Sequence, residues 1–408
     1  MSLSDTLLDL YKSDQYPLHM PGHKRCDMGI LSDAYHIDIT EIEGYDNLYD
    51  AQGILREAMD RAAQLYKCRT YYLVNGSTTG ILTAIHAVTE HGDTILVANN
   101  CHRSVYAAAE LRNLNVLSLA VGVITKDVAG AVDICALRSY LQELVNRDSL
   151  PKALVITSPN YDGIVSNVKE IADICHNYGI VLIVDEAHGA HFSLDSRLPK
   201  GAIENGADII IHSTHKTLAA MTQTALLHVQ GNLVDITKVE KFWHMFQTSS
   251  PSYVLMASID DALKDINDNG KELWDSFFEK KERFLKSCEN LRVFKSRGEG
   301  EVAKCGDISG LDPCKITVFT GGVIDGYVLQ DKLLRDYNIQ LELASRDRII
   351  AIVTYADSEE GFVRFARALC EIDDELVGGV DISSKVQSQK AKASNEKKEL
   401  YAPCIPIQ

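Results

Sequence analysis

Short β-branched runs alternate with stretches of helical periodicity between about residues 70 and 230, and this alternation constrains the fold more than any other feature. It is typical of a parallel β-sheet covered by helices. Each predicted strand leads into polar residues; the strands are predicted over 70–74, 93–98, 152–157, 180–184 and 208–211. Because ligands of open α/β sheets bind at the carboxyl ends of the strands, the pattern predicts a functional site at that edge.

The domain organisation is predicted from the same kind of pattern. A large α/β domain is expected over residues 70–255, followed by an amphipathic connecting helix or helix pair over 256–294. Further strand and helix patterns predict a smaller α+β domain over 295–378. Residues 379–408 include a run that is almost devoid of apolar side chains, which predicts a polar linker and tail.

The composition excludes several classes of protein. The 408 residues include 41 Lys and Arg against 57 Asp and Glu, and the resulting net charge of −16 disfavours nucleic acid as a partner. No apolar stretch approaches the roughly 18 residues of a transmembrane helix, so we expect no membrane partner. The N-terminus lacks a secretion signal, which predicts a cytoplasmic location. The ten cysteines form no CxxC pair, which favours buried free thiols over disulfides or a zinc site.

A turn rich in small residues follows the first predicted strand and opens a helix. Its residues Gly76, Ser77 and Thr78 offer backbone N–H groups, hydroxyl groups and the positive end of the helix dipole. Neither GK[ST] nor GxGxxG is present, so a nucleoside triphosphate or a dinucleotide is disfavoured. The turn is therefore predicted to bind the phosphate of a small cofactor.

Three further residues follow predicted strands and have two readings each. Asp185 is either a helix cap or ion-pair partner, or a carboxylate that keeps a pyridine nitrogen protonated. Lys216 is either a surface lysine or, if burial lowers its pKa, a Schiff-base lysine. His102 either caps its helix or stacks on a flat ring.

The remaining histidines are less informative. His188 and His191 in DEAHGAH could bind a metal with the two acids of that motif, but the spacing is a weak signal, and we predict no metal. His19, His23 and His36 could lie in the core, on the surface or in the site.

Taken together, these segments resemble a known family: the bacterial-type ornithine/lysine/arginine decarboxylases, which are pyridoxal-phosphate enzymes of fold type I. The resemblance covers about residues 15–405. It rests on MPGHKR (20–25), EGYDNLYDAQGILREA (43–58), NGSTTG (75–80), NCHRS (100–104), TSPNYDG (157–163), VDEAHGAH (184–191), STHKTLAAMTQTA (213–225) and TSSPSY (248–253).

The resemblance implies a role for each site residue. Lys216 would bind pyridoxal 5'-phosphate covalently, Asp185 would pair with its pyridine nitrogen, and His102 and Ala187 would cover the two ring faces. The side chains implied to hold the phosphate are those of Ser77, Thr78, Ser213 and His215.

The resemblance also implies an assembly. Thr248 would reach the phosphate of a neighbouring subunit, so a homodimer or higher homo-oligomer with composite sites is expected. Residues 1–69 would line the active site and the dimer interface. His188 would lie near the substrate carboxylate or the bond that breaks.

The implied activity is decarboxylation of lysine, ornithine or arginine to the amine and carbon dioxide. Either Lys216 or His188 would return the proton to the α-carbon. Two alternatives stay open: a pyridoxal-phosphate aminotransferase or lyase of specialised metabolism, and a non-catalytic regulatory paralogue.

The sequence departs from the family pattern at several positions. Family members usually continue past a YPPGIP-like segment into a C-terminal domain, whereas this chain reads YAPCIPIQ over 401–408, with Cys404 in place of a glycine. Asn47 lies where an acid is common. These departures bear on which substrate is used. Ile211 lies where the family prefers a small residue, which is expected to leave the cofactor site intact.

Overall fold

The computed structural model describes residues 14, 16–18, 46–125, 128–296 and 307–378, and its centre is a seven-stranded sheet. From one edge to the other the strands are β2 (Arg69–Leu73), β11 (Ala225–Val229), β10 (Ile209–His212), β9 (Val181–Asp185), β7 (Ala153–Thr157), β3 (Thr94–Ala98) and β4 (Asn115–Leu119). Neighbours from β10 to β4 are parallel, and β11 runs antiparallel between β10 and β2. The predicted α/β class with a mostly parallel sheet is confirmed.

Helices flank this sheet. Along the chain they are α1 (Ile54–Tyr66), α2 (Gly76–Val88), α3 (Arg103–Leu111), α4 (Ile134–Asn146), α5 (Val168–Asn177), the short α6 (Thr214–Thr217) and α7 (Ile236–Phe246). A 3-10 helix, Leu48–Asp50, precedes α1. Among the described residues, no helix has both the length and the apolar character needed to cross a membrane.

Successive residues of the central strands pack into opposite cores. In β9, Ile183 joins the apolar cluster that includes α1 and α2, whereas Leu182 and Val184 join the cluster that includes α4 and α5. All five residues of β9 are buried. A strand that is covered on both faces needs apolar side chains at every position, which accounts for the unbroken run over 180–184.

The C-terminal part contains a second, smaller sheet. Its strands, in order, are β12 (Lys295–Ser296), β14 (Lys315–Phe319), β17 (Arg348–Ile352) and β16 (Leu343–Ala344), all antiparallel. Its helices are α9 (Gly326–Tyr337) and α10 (Glu359–Val377), and α8 (Tyr253–Ser287) precedes it. Three two-stranded pairs complete the described strands: β1 (Tyr16–Leu18) with β15 (Ile339–Leu341), β5 (Val121–Thr125) with β6 (Val128–Val132), and β8 (Ile164–Ser166) with β13 (Ile308–Leu311).

The structure decides one open point of the sequence analysis and adds detail to the smaller sheet. The amphipathic stretch before residue 294 contains one long helix, α8, rather than a helix pair. The segment IQLELA is two strands in different sheets, because its first half pairs with β1 and its second half pairs with β17. The division into domains at residues 255 and 294 stays a prediction.

Several predicted features fall outside the described residues. They are MPGHKR (20–25), most of the segment 1–69, His19, His23, His36, Cys404 and the tail 379–408. The seven described cysteines are free thiols, but the prediction that they are buried holds only for Cys68, Cys175 and Cys314, whereas Cys135 is exposed.

A buried ion pair joins the two sheets. Arg348, the first residue of β17, donates from Nε to Asp162 Oδ1 at 2.7 Å and from Nη2 to Asp162 Oδ2 at 3.1 Å. Asp162 lies in the loop between β7 and β8, and the two side chains are only 6% and 7% exposed. Two parallel charge-assisted hydrogen bonds fix both the distance and the angle between the groups. The loop is thereby held against the smaller sheet.

We predict that Arg348→Met destabilises the protein by about 3–5 kcal/mol, because it leaves the Asp162 carboxylate buried without its counter-charge. Urea unfolding followed by circular dichroism measures this loss. The control is Arg367→Met, which removes an exposed pair with Glu371 on α10 and should cost no more than about 0.5 kcal/mol. Equal losses in the two variants would show that the buried pair has no special role.

Candidate active site

The polar residues that follow the central strands gather at one edge of the sheet. Asp185 ends β9, and Lys216 lies in α6 directly after β10. Asp185 is buried, and its carboxylate is electrostatically coupled to the Lys216 ammonium and to the His102 ring. The structure therefore brings together the three residues to which the sequence assigns the central roles.

Burial shifts the pKa values of Asp185 and Lys216 in opposite directions. Burial raises the pKa of the Asp185 carboxyl, while the Lys216 charge, the Ala187 N–H group and His102 oppose the rise. Burial lowers the pKa of the Lys216 ammonium, against the attraction of Asp185 and Glu342. The Ala187 N–H donates to Asp185 Oδ1 at 3.1 Å and so orients the carboxylate. Lys216 is thus not a surface lysine, and a larger share of it is the neutral amine at pH 7.

The turn before α2 has the properties of an anion site. Gly76 has φ +80°, a conformation that residues with side chains rarely adopt, and it is the first residue of the helix. Asn75 makes no side-chain cap; its Oδ1 accepts instead from the Thr248 N–H at 3.1 Å. The N–H groups of the first turn therefore keep their capacity to bind an anion, beside the half-buried Ser77 and the exposed Thr78.

Two residues next to Lys216 border the same region. The Ser213 hydroxyl is fully buried and has no hydrogen-bond partner within the described parts of the chain. His215 donates from Nδ1 to the Thr224 carbonyl at 2.8 Å, and burial lowers its pKa. Ser213 thus has an unused donor, whereas His215 can donate to a phosphate only from Nε2, and only when its ring is charged.

His102 caps its helix. Its Nδ1 accepts from the Ser104 N–H at 3.3 Å at the start of α3. Partial burial lowers the pKa of the ring, and the Lys216 charge adds to this, whereas Asp185 opposes it. The capping role is therefore real, and it leaves the ring close enough to Asp185 and Lys216 to interact with their charges.

The residues of DEAHGAH take different partners. His188 Nε2 lies 3.2 Å from Lys216 Nζ. His191 Nε2 lies 2.8 Å from Asp312 Oδ1, and Glu186 Oε2 accepts from His212 at 2.8 Å. The metal set considered from the sequence, which combined the two histidines and the two acids of this motif, is not brought together.

Sequence reasoning missed Lys315. This residue begins β14 in the smaller sheet, is buried, and places its Nζ 2.9 Å from His188 Nδ1. Burial lowers the pKa of Lys315 to about 8, although Asp312 and Glu342 favour its charged form. A lysine at the start of a strand is ordinarily a surface residue, so no local signal pointed to it.

Tyr161 and Glu342 were also missed as site residues. The Tyr161 ring lies edge-on to the His188 ring at a centroid distance of 5.1 Å, and Lys315 Nζ lies 5.2 Å from the Tyr161 ring centroid. The Tyr161 hydroxyl donates to Glu342 Oε1. Tyr161 belongs to the TSPNYDG segment, and that motif was a sequence signal that could have identified it. Glu342 lies between β15 and β16, where no motif pointed to a site residue.

Gly163 makes room for the Lys315 side chain. Its φ is +81°, and a Cβ atom at this position would lie 2.9 Å from Lys315 Cγ and 3.0 Å from Lys315 Cβ. The Gly163 carbonyl also accepts from the Asp312 N–H at 2.8 Å. The loop that carries Tyr161 is thus in direct contact with the lysine stem.

Ile211, which lies where the family prefers a small residue, packs against Gly80. Ile211 Cγ2 lies 3.0 Å from the place that a Cβ of Gly80 would occupy. The larger residue on β10 is therefore accommodated by the missing side chain on α2.

Thr248 is exposed beside the start of α2, where its N–H bonds to Asn75 and its carbonyl accepts from the Tyr49 hydroxyl. Asn47, where the family often has an acid, caps the 3-10 helix by accepting from the Tyr49 N–H at 2.9 Å. The contact of Thr248 with a second subunit stays a prediction.

Comparison with known proteins gives consistent matches. A family model described as "Orn/Lys/Arg decarboxylase, major domain" matches residues 2–361. YaaO, an uncharacterized protein of Bacillus subtilis, is 35% identical over 361 residues, which are 86% of this chain and 73% of that protein. The arginine decarboxylase of the same bacterium is 30% identical over 408 residues, which are 95% of this chain and 78% of the relative.

A solved structure supports the fold. The lysine decarboxylase LdcF of Francisella novicida superposes with a TM-score of 0.75 at 22% identity. The match covers 96% of this chain and 62% of that one, so the chain spans about three fifths of its length. The likeness confirms the predicted fold of type I.

We predict that Gly163→Ala destabilises the protein and displaces Lys315. The matched control is Gly92→Ala in the turn between α2 and β3, because Gly92 has φ +84° but no atom within 4 Å of an added Cβ. Backbone strain alone should lower the stability of the control by about 1–2 kcal/mol. Gly163→Ala should lose about 1–3 kcal/mol more, because its new side chain also collides with Lys315. Urea unfolding of both variants measures the difference, and equal losses would contradict the crowding of the Lys315 stem.

Proposed function

Because the chain belongs to the Orn/Lys/Arg decarboxylase family, as the sequence resemblance predicted, we propose that it decarboxylates a basic amino acid with bound pyridoxal 5'-phosphate. Members of this family are pyridoxal-phosphate-dependent amino-acid decarboxylases. The observation that carries the proposal is the 3.2 Å contact between Lys216 Nζ and His188 Nε2, next to the buried Asp185 carboxylate. Relatives named arginine and lysine decarboxylase support a basic substrate. Lysine, ornithine and arginine are the candidates.

The residues present fit the cofactor. The first turn of α2 offers N–H groups at Gly76, and Ser213 offers a buried hydroxyl that has no partner among the described residues. Both suit a phosphate monoester. A carboxylate whose pKa is raised by burial, as at Asp185, gains from a cationic partner such as a pyridinium nitrogen. His102 and Ala187 are the proposed neighbours of the ring faces.

When bound, pyridoxal phosphate supplies a protonated ring that withdraws the electron pair left by the departing carboxylate. The chain's own residues prepare this chemistry. Asp185 would hold the ring nitrogen charged, and the lowered pKa of Lys216 increases the share of neutral amine that could attach the cofactor. When not attached, the Lys216 amine would be able to carry a proton.

Two groups are positioned to return a proton to the substrate's α-carbon. The Lys216 amine would be one of them, and His188, whose Nε2 lies 3.2 Å from that amine, would be the other. The pKa of His188 is held well below its usual value by burial and by the charges of Lys315 and Lys216. A ring of low pKa is a stronger acid but is seldom protonated, so we propose Lys216 as the direct donor, with the His188 ring beside it.

We further propose that the protein works as a homodimer with composite sites. Thr248 is exposed next to the α2 turn, which leaves its hydroxyl accessible to a second copy.

Purified protein given pyridoxal phosphate should convert one of the three basic amino acids into equal amounts of amine and carbon dioxide. Lys216→Ala should lower this turnover by at least about 100-fold, because it removes both the attachment point and the proton donor. Borohydride should fix the cofactor to the peptide containing Lys216 in the wild type only. A keto acid as the product would support an aminotransferase instead, and full turnover by Lys216→Ala would overturn the assignment.

Asp185→Asn should keep the fold and the phosphate contacts but weaken the ring as an electron acceptor. We expect kcat to fall by more than about tenfold, or ~1.4 kcal/mol of barrier, with a smaller change in cofactor affinity. Steady-state kinetics and a cofactor titration separate the two effects. An unchanged kcat would remove Asp185 from the mechanism.

A further inference from the structure

Lys315 is a buried cation in direct contact with a proposed catalytic residue, yet the mechanism above gives it no task. Its side chain is 7% exposed, and its Nζ lies 2.9 Å from His188 Nδ1. The opposite ring nitrogen, Nε2, lies 3.2 Å from Lys216 Nζ. One imidazole ring therefore connects two lysine amines, one from each sheet.

Several elements hold Lys315 in this place. Its stem passes the loop at Gly163, where a side chain would collide with it. Its ammonium lies over the Tyr161 ring at 5.2 Å. The charges that act on it are those of Asp312, Glu342, Lys216 and the Cys314 thiol, and the acids favour its charged form. An ammonium so surrounded has a preferred position rather than a range of them.

We propose that Lys315 is a positioning residue that fixes the tautomer of His188, so that the ring carries its proton on Nε2 and presents it to Lys216. This inference rests on the proposed function of Lys216. An ammonium group has three donors and no acceptor, so the nitrogen that faces it must accept. Nδ1 of His188 is that acceptor, and a neutral imidazole then has its one N–H at Nε2.

The fixed tautomer has a consequence for Lys216. If Nε2–H points at Lys216 Nζ, a hydrogen bond forms only when the amine is neutral, because two donors cannot share the contact. The positive charge of Lys315 also disfavours a charged His188 ring, in line with the depressed pKa of His188. Lys315 therefore favours the neutral Lys216 amine, the form that attaches a carbonyl compound.

The preference of His188 for the Nε2–H tautomer should depend on pH. The pKa of Lys315 is about 8, and above this value the uncharged amine can accept as well as donate. The share of the Nε2–H tautomer should then fall, while below this pH the charged Lys315 holds it. The groups that face Lys315 are His188, Tyr161, Asp312, Cys314, Glu342 and Lys216.

The first test is the tautomer itself. The full chain is labelled with 15N-histidine, and long-range proton–nitrogen spectra are recorded at pH 7 without and with pyridoxal phosphate. The signal lost in His188→Gln identifies His188. We expect an unprotonated Nδ1 and a protonated Nε2 in the wild type. A proton on Nδ1 would overturn the proposal.

Variants of Lys315 test its charge and its hydrogen bond. Lys315→Gln removes the charge and leaves an amide that can either donate to Nδ1 or accept from it, so the share of the Nε2–H tautomer should fall while the pKa of His188 rises. Lys315→Met keeps neither the charge nor the hydrogen bond and should give mixed tautomers. Lys280→Met is the control, because Lys280 is similarly buried, 8% exposed, but donates to the Asp357 carbonyl. The same tautomer and pKa of His188 in Lys315→Met and wild type would also overturn the proposal.

Lys216 provides a second readout that does not need turnover. Competitive reductive methylation of the cofactor-free chain, quantified on the Lys216 peptide by mass spectrometry, reports the neutral fraction of this amine. Lys315→Met should lower the rate at pH 7 by about three- to tenfold, since raising a pKa by one lowers the neutral fraction about tenfold. Lys280→Met should leave the rate unchanged. An unchanged rate in Lys315→Met would contradict the link between Lys315 and Lys216.

These measurements separate the two proposals. If no amine or carbon dioxide forms but the tautomer and labelling results are as expected, the proposed function fails and the role of Lys315 stands. If decarboxylation is found but His188 carries its proton on Nδ1, only the role of Lys315 fails. Should Lys315→Met not fold, Lys315→Gln and the wild-type tautomer still decide the question.

Discussion

A sheet that is covered on both faces disfavours charged side chains except where its strands end, because a charge buried against apolar helices loses its hydration. Every residue of β9 is buried, and the first hydrophilic side chain in that strand is its last, Asp185. The same constraint applies to β10, whose apolar residues stop just before His212 and Ser213. The strands are parallel neighbours, so their endings lie side by side. The charged groups of the site therefore gather at one edge, where burial shifts their pKa values and their mutual attraction partly opposes the shift.

The site places two lysines near three carboxylates. Lys216 follows β10 of the seven-stranded sheet and Lys315 begins β14 of the smaller one, and each lies within hydrogen-bonding distance of the His188 ring. Burial disfavours charge on all three groups. Asp185 and Glu342 favour the charged form of Lys216, and Asp312 and Glu342 favour that of Lys315. Burial outweighs these carboxylates, because the pKa values of both lysines are lowered, so each lysine holds a proton more weakly than it would in water.

Sequence reasoning succeeds where a feature is local. The alternation of strands and helices predicts β9 and β10, because each apolar run is directly followed by the polar residues that it carries, and the same logic predicts Gly76. It fails for Lys315, which is 127 residues from His188, and for Arg348, which is 186 residues from Asp162. In each pair, the sequence around one residue contains no pattern that indicates the other residue. The antiparallel direction of β11 was not predicted either, because strand direction depends on where the chain re-enters the sheet and not on the side-chain pattern.

Three polar contacts link the smaller sheet and Glu342 to the site: the buried pairs Asp162 with Arg348 and His188 with Lys315, and the exposed pair Tyr161 with Glu342. Two-domain enzymes often close on a substrate by rigid-body rotation about a hinge. Here such a rotation would have to break the bidentate ion pair of Asp162 with Arg348 and separate Lys315 Nζ from His188 Nδ1. These contacts therefore oppose a hinge motion of the smaller sheet relative to the residues that follow β9 and β10.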